Sequence, residues 1–484
     1  MTAPAQSPSI EPAKEQAQMN QENSQTLPDA VQARIVRKVA LRLIPFLAVA
    51  YLLNYLDRTN IAFAKLTMSE DLNLSETAYG LASGLFFVGY VFFEVPSNLA
   101  LVRFGARRWI ARIMVTWGIV AIGIAFVNSP AALYTGRILL GVAEAGFFPG
   151  VMLYMTWWFP RAVRVRLIGL FMIALPVSSA LGAPLSGAII EYMHGFLGLA
   201  GWRVMFLIEG VPTVALGIAA WFYLTDRPRQ AQWLTPDERE WLDTTMAAEQ
   251  AATAEGGGHT SVRQSLRDAR VWVLGFVYFG LGYGLFALSF FLPTIVAGFA
   301  KSFHTDFSIF QSALIVAIPF TVGAIALVIW AQHSDRTGER IWHVALPTLL
   351  AAITVPVALY MQSPAGAMAV ISLTAIGIYA AFPVFWYLPS TFLTGTAAAG
   401  GIAVVNTMGA VAGFAAPYIT GWLLDLTGTS KAGLWVVGVV MSASAILLLT
   451  FGRRFRPRTA DEAQPTDASS TLRAAPLPSP PKYL

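Results

Sequence analysis

Cysteine is absent from the chain, so no disulfide, thiolate nucleophile or cysteine-ligated metal is available, and redox chemistry leaves the compartment open. Charge is nearly as scarce. Only 12% of the 484 residues are Asp, Glu, Lys or Arg, about half the share of an ordinary soluble domain. The five histidines (His194, His259, His304, His333 and His343) fall in loops or helix ends without metal-ligand spacing, which argues for solvated roles and no metal. No Walker loop, Rossmann glycine set or hydrolase elbow is present, so ATP-driven pumping and enzyme chemistry lack their parts and no cofactor is implied. The basic segment followed directly by a short apolar core that marks a cleaved signal peptide is missing as well. The first helix is therefore the expected insertion signal.

Apolar sequence fills the space. With 56% hydrophobic residues and a mean hydropathy of +0.59, the chain reads as an integral protein of the cell (inner or plasma) membrane. Twelve runs of the length needed to span a bilayer lie near 43–64, 79–101, 109–127, 131–157, 165–190, 203–224, 270–298, 309–332, 342–361, 366–389, 398–424 and 433–451. The alternation of a β-barrel is absent, and only helices or closed barrels satisfy their backbone in lipid, so the fold class is an all-α membrane protein. Residues 1–33 and 456–484, rich in Pro, Ala, Ser, Gln and acids, are expected to be disordered tails. About forty polar residues with a TPDERE helix start and a GGG hinge form a linker over 225–269, dividing an N-terminal six-helix half (34–224) from a C-terminal one (270–455).

Lys and Arg set the expected orientation. One side of the membrane carries Arg34, Arg37 and Lys38, then Arg103, Arg107 and Arg108, then Arg161, Arg164 and Arg166, then Arg336 and Arg340, then the arginines from 453 onward. The other carries little beyond Lys65, Arg203, Lys301 and Lys431. Positive charge retained inside places both termini in the cytoplasm. The sequence pI of about 9.4 follows from this bias and from attraction to anionic lipid; no separate basic domain suggests nucleic acid. The chain is expected to work as a monomer.

Four charges lie inside apolar runs: Asp57 and Arg58 in LIPFLAVAYLLNYLDRTNIAFA, and Arg137 and Glu144 in LYTGRILLGVAEAGFFPGVMLYM. A charge at the bilayer centre costs about 2.5–3.5 kcal/mol even on the lenient insertion scale, so such residues usually face a bundle interior or a wet cavity and serve function. Arg137 and Glu144 are two turns apart, about 10.5 Å along one helix face. That is too far for a simple pair, and Asp57 and Arg58 on another helix offer each a partner. Arg58 or Arg137 can grip an anion with a permanently charged fork. Asp57 or Glu144 can take up or release a proton as the neighbouring arginine changes. The four sum to zero, so protonating one acid frees an arginine, and proton and anion binding favour each other. This predicts symport. The bland alternative is a closed ionic cluster that only joins two helices.

Gly105 in GARRW and Gly338 in GERIW are separated by the same 233 positions as Pro184 and Pro417, which argues for duplicated halves. Carried across that offset, the four charges fall on Phe290, Phe291, Val370 and Gly377. Proton handling is thus expected in the first half alone, with the second supplying shape and hydrogen bonds through Tyr278, Tyr283, Phe382, Phe385, Trp386, Tyr387 and Asn406. Glu94 and Glu209 precede prolines and read as structural, satisfying freed backbone groups.

Two such halves around a long central loop describe one secondary-transporter architecture, and over about residues 35–455 the chain resembles the major facilitator superfamily. SDRTGER at 334 is similar to that superfamily's cytoplasmic loop signature, which implies a gating latch of Asp335, Arg336 and Arg340. The first-half counterpart LVRFGARR keeps Arg103 and Arg107 but has Val102 in place of the acid. NYLDRTNIA, VFFEVPSNL, GRILLGVAEAGFFPG, FLIEGVP and AFPVFWYLPSTFLTGTAAAGGIAVVN together resemble the anion:cation symporter family, importers of organic anions such as sugar acids, tartrate, phthalate and hydroxyphenylacetate. The resemblance implies a small organic anion and protons as partners, Asp57 and Glu144 as proton carriers, Arg58 as an anion contact, and Tyr55, Tyr90 and Asn406 as further contacts. A drug or metabolite antiporter, to whose Gly-Pro motif GAPLSG is loosely similar, and a transport-inactive sensor are the alternatives.

Overall fold

The computed structural model describes residues 28–256, 267–299, 303, 307–390 and 395–452. Most of both expected tails, Gly257 and Gly258 of the hinge, His259, Lys301, His304 and the arginines from 453 onward lie outside the described residues.

Helix starts are written locally. Ser75, Ser129, Ser308 and Ser363 each accept a hydrogen bond from a backbone N–H of the first turn, Pro130 and Pro364 occupy first helical positions, and Ser308 with Gln311 closes a capping box. The long helices are α1 (Asp29–Asp71), α2 (Glu76–Phe104), α3 (Ala106–Ile124), α4 (Pro130–Trp158), α5 (Arg161–Tyr192), α6 (Gly201–Tyr223), α7 (Ala269–Ala297), α8 (Ile309–Thr337), α9 (Ile341–Tyr360), α10 (Pro364–Pro389), α11 (Gly400–Thr427) and α12 (Lys431–Phe451). Eleven have the length and apolarity of a membrane span outright. The twelfth, α3, carries Arg107, Arg108 and Arg112 in its first turns but packs along α6 like its neighbours. Among the described residues no strand occurs.

The twelve helices pack as a repeated pattern. Within the first half α1 lies against α5, α2 against α4 and α3 against α6; six helices later α7 lies against α11, α8 against α10 and α9 against α12. Between the halves, α2 meets α11 and α5 meets α8, the same pairing seen from either side of a two-fold axis, with α1 against α7. Small residues permit this closeness: a Cβ on Gly141 of α4 would collide with the Phe86 carbonyl of α2.

One end of the bundle carries the chain start, the linker and the arginine-rich turns; we call it the linker end and the opposite one the far end. α1 begins at Asp29, well ahead of the expected 43, so residues 29–33, which composition assigns to the tail, are helical. Its first turns are held by the linker: Lys38 Nζ donates to Glu238 Oε2 at 2.6 Å. The linker forms a helix, Pro236–Gly256, started by a reciprocal Thr235/Glu238 cap. It docks on the first half through stacked Trp158 and Trp233 and through Glu249, which accepts from the Arg161 backbone N–H.

Candidate functional site

Inter-half contacts crowd the far end. Asp425 of α11 accepts from the Thr77 N–H at 2.8 Å and its hydroxyl at 2.6 Å, Glu191 of α5 accepts from the Phe310 N–H at 2.7 Å, and Tyr79 donates to the Phe290 carbonyl at 2.8 Å. Between these contacts and the linker end lies a cavity of about 700 Å3, counting its open mouth. Tyr51, Tyr55 and Arg58 of α1, Phe87 and Tyr90 of α2, Tyr278 of α7, Phe382 and Trp386 of α10 and Asn406 of α11 line it. Arg58 is the one Lys or Arg among its lining residues.

Glu144 reaches Arg58 from the last helical position before a break in α4. The first α4 segment ends at Glu144; Ala145 turns extended, Gly146 adopts φ +84°, and the helix resumes at Phe147. Pro149 can give no N–H to the Ala145 carbonyl, so the ladder is interrupted locally. Gly146 alone fits, since a Cβ there would collide with Ser97. Two Arg58 donors, Nε at 3.0 Å and Nη2, converge on Glu144 Oε1. The glutamate is fully buried and the arginine 13% exposed toward the cavity, with its guanidinium over the Phe86 and Tyr90 rings.

The other two charges do not pair. Arg137 is fully buried; Nε donates to the Ala82 carbonyl at 3.3 Å and Nη2 to the Arg58 carbonyl at 3.4 Å, while the guanidinium lies 5.3 Å from the Phe86 ring centre. Its Nη1 is without a hydrogen bond. Asp57 turns away from the cavity toward α3 and α6, where Trp117 Nε1 and Thr213 Oγ1 both donate to Oδ2 at 2.9 Å. The spacing argument offered Arg137 and Glu144 one partner each. Only Glu144 takes its partner, because the backbone carbonyls of Ala82 and Arg58 occupy Arg137 and two neutral donors from other helices occupy Asp57.

The remaining expected contacts divide. Tyr55, Tyr90, Trp386 and Asn406 line the cavity; Tyr55 also shares a 3.2 Å hydrogen bond with Ser289 of α7. Arg137 and Tyr283 do not line it, and Tyr278, one turn nearer the linker end, fills the α7 wall in place of Tyr283. The Asn406 amide donates to Glu94 Oε1 at 2.5 Å. Glu94 thus joins α2 to α11 rather than satisfying the backbone freed by Pro96, and Glu209 is likewise bonded by side chains, as described below. Phe86, Trp117 and Thr213 were not among the sequence candidates. A Trp or Thr inside an apolar run carries little signal until a second helix is seen to bring an acid to it.

In the loop signatures, Arg340 Nη1 pairs with Asp335 Oδ1 at 2.7 Å, an exposed pair at the linker end with Arg336 beside it in the last turn of α8. In the first half Arg103 lies over Phe104. The acid missing at Val102 is supplied from elsewhere in the chain: Asp226, just past α6, accepts from the Arg107 N–H at 2.8 Å and caps α3.

The family model described as Major Facilitator Superfamily matches residues 47–417. A protein of Agrobacterium vitis called "Putative tartrate transporter" is 48% identical over 87% of this chain and 96% of its own length. The Escherichia coli (strain K12) "Inner membrane transport protein RhmT" is 39% identical over 86% of this chain and 95% of its own. Among solved structures, the partially occluded inward-open xylose transporter XylE from E. coli superposes with a TM-score of 0.66 at 15% identity, covering 86% of this chain and 98% of that one. That last likeness establishes the fold alone.

Proposed function

The chain belongs to the major facilitator superfamily and is a multi-pass inner-membrane carrier, not an enzyme; from that premise we propose that it imports a small organic carboxylate by proton symport, the two six-helix halves rocking to expose the cavity alternately. The observation that carries the reading is the Arg58–Glu144 pair, one member facing the cavity and the other sealed behind it.

With Glu144 ionised, the guanidinium is already neutralised by a carboxylate. A proton on Glu144 removes that competitor and leaves Arg58 to the substrate's own carboxylate, so each ligand raises the affinity for the other. The cavity walls supply aromatic surface and tyrosine hydroxyls for orientation, and no charged group of the second half competes for the proton there. The arginine clusters at the linker end support a cytoplasmic linker and termini, so the far end faces the proton source. The name of the A. vitis relative makes tartrate the first probe.

Proteoliposomes test this directly. An inward proton gradient should accelerate labelled tartrate or competing carboxylate uptake, and a protonophore should abolish the acceleration. Acceleration by an outward gradient would indicate antiport, and dependence on a sodium gradient would replace the coupling ion; either overturns the assignment. Uptake unchanged by Arg58→Ala would remove Arg58 from the site.

A further inference from the structure

Proton symport through Arg58 and Glu144 leaves other membrane carboxylates without a task, and Glu209 is deeply set among neutral donors. Glu209 of α6 is 2% exposed, and among the described residues no cation pairs with it. Its Oε2 accepts from Asn60 Nδ2 of α1 at 3.0 Å and its Oε1 from Ser186 Oγ of α5 at 2.7 Å. A carboxylate stripped of water and given only neutral donors is costly to keep ionised, which favours a group that holds a proton for part of a cycle.

Its two donors also face a second cavity. About 280 Å3 counting its open mouth, this lies on the far-end side of the main cavity, its wall shared between Thr59, Asn60, Ser178, Ser179, Ser186 and Ser289 and apolar side chains such as Phe63 and Phe320. Most of these hydroxyls are bonded within the protein, which leaves the Asn60 amide oxygen as the polar atom open to a water there. Ser289, whose hydrogen bond to Tyr55 separates the two cavities, closes it off from the substrate side.

Two buried acceptors without partners lead from this cavity along α1 to Asp57. Asn60 Oδ1 and Asp57 Oδ1 make no hydrogen bond within the protein, while the Asn54 amide bonds toward Glu144 and the Ser179 hydroxyl toward Tyr379. Two orphaned buried acceptors one turn apart on α1 are accounted for by ordered water. Asp57 stands within electrostatic reach of both Glu209 and Glu144. We propose that Glu209 is a third proton-carrying carboxyl, loaded from the second cavity beside Asn60 and Ser186 and discharging through water to Asp57 and then Glu144. Each step moves one proton from an O–H to a water and from that water to a carboxylate oxygen, and no other bond changes.

Among the described residues, Asp57 is the one charged group acting on Glu209. Asp57 is the titratable side chain that α1 brings near Glu209; α5 brings Ser186, and its own charges sit at its two ends. α3 brings Gly118 and Ile122 against the neighbouring Gly210, its arginines lying in the first turns at the linker end.

The proposal rests on the symport reading, and the experiments separate the two. Infrared difference spectra of the purified protein in lipid, between acidic and alkaline buffer, should contain a carboxylic C=O band that shifts in D2O and is lost in Glu209→Gln. Ser186→Ala, which keeps the carboxyl and removes one donor, should move that band. A Glu209→Gln spectrum identical to wild type, or a band that never exchanges, overturns the proposal. In proteoliposomes, Glu209→Gln should lose gradient-driven tartrate accumulation while keeping counterflow and an unchanged elution profile. Wild-type uptake indifferent to a proton gradient would defeat the symport reading itself; gradient-driven wild type with an equally driven Glu209→Gln would defeat only the role of Glu209.

Discussion

Glu144→Gln isolates the coupling step because it changes one charge and almost no shape. Both Arg58 donors meet Oε1 of a carboxylate that is fully buried, and the glutamine carbonyl can occupy the same position. Hydrogen bonds to a charged group contribute about 1.5–3 kcal/mol and neutral ones about 0.5–1.5 kcal/mol. Converting this pair to a neutral acceptor should therefore release about 1–3 kcal/mol of Arg58's binding capacity, or roughly 5–150-fold in anion affinity. The variant is locked in the proton-loaded form. Measured by equilibrium binding of the transported carboxylate, its affinity should exceed wild type by that factor at alkaline pH, should equal wild type at acidic pH, and should itself be flat with pH. In proteoliposomes it should exchange substrate but not accumulate it. A glutamine variant whose affinity keeps the wild-type pH dependence, or that concentrates substrate against its gradient, would refute the reasoning.

Three further outcomes follow from the geometry. Gly146→Ala forces an L side chain into φ +84° and against Ser97; it should lower thermal stability by about 1–2 kcal/mol and move Glu144 off Arg58, read as a lower melting temperature together with weaker accumulation. Asp226→Ala removes the cap that one helix end provides for another and should destabilise by about 0.5–2 kcal/mol, with Asp226→Asn recovering part of the loss in a thermal-shift assay. Glu238 in the linker is pushed up by partial burial, but the Lys38 ammonium and the Thr235 N–H outweigh this and hold its carboxyl below the usual range. Its contribution to linker docking is then present above the ordinary glutamate value of about 4.3 and lost as pH falls through the lower folded value. Proteolysis within Pro236–Gly256 should accelerate on acidification, and Lys38→Met should make cleavage fast and less pH-dependent.

Much of the architecture was legible because lipid imposes a strong code. Runs of twenty apolar residues, the serine caps before them and the TPDERE start each act locally, so helix count, the linker helix and the division into halves could be read along the chain. The repeat at 233 positions anticipated the packing, where each strong contact of the first half recurs six helices later. What misled was counting only charged groups as partners. The two-turn spacing of Arg137 and Glu144 holds, since the helix is unbroken between them, but Arg137 meets the Ala82 and Arg58 carbonyls in place of the acid expected on α1.

The amino-acid sequence alone determined that this is a helical membrane carrier and that its rare charges gather in one half, because burial of a charge in lipid is expensive enough to be visible in composition. Which charges meet was decided only by the tertiary structure. Pairing depends on which helix faces which and on the neutral groups that intervene: Trp117 and Thr213 claim Asp57, the Ala82 and Arg58 carbonyls claim Arg137, and Asn60 and Ser186 claim Glu209. Arg58 and Glu144 are left to each other at the wall of the cavity.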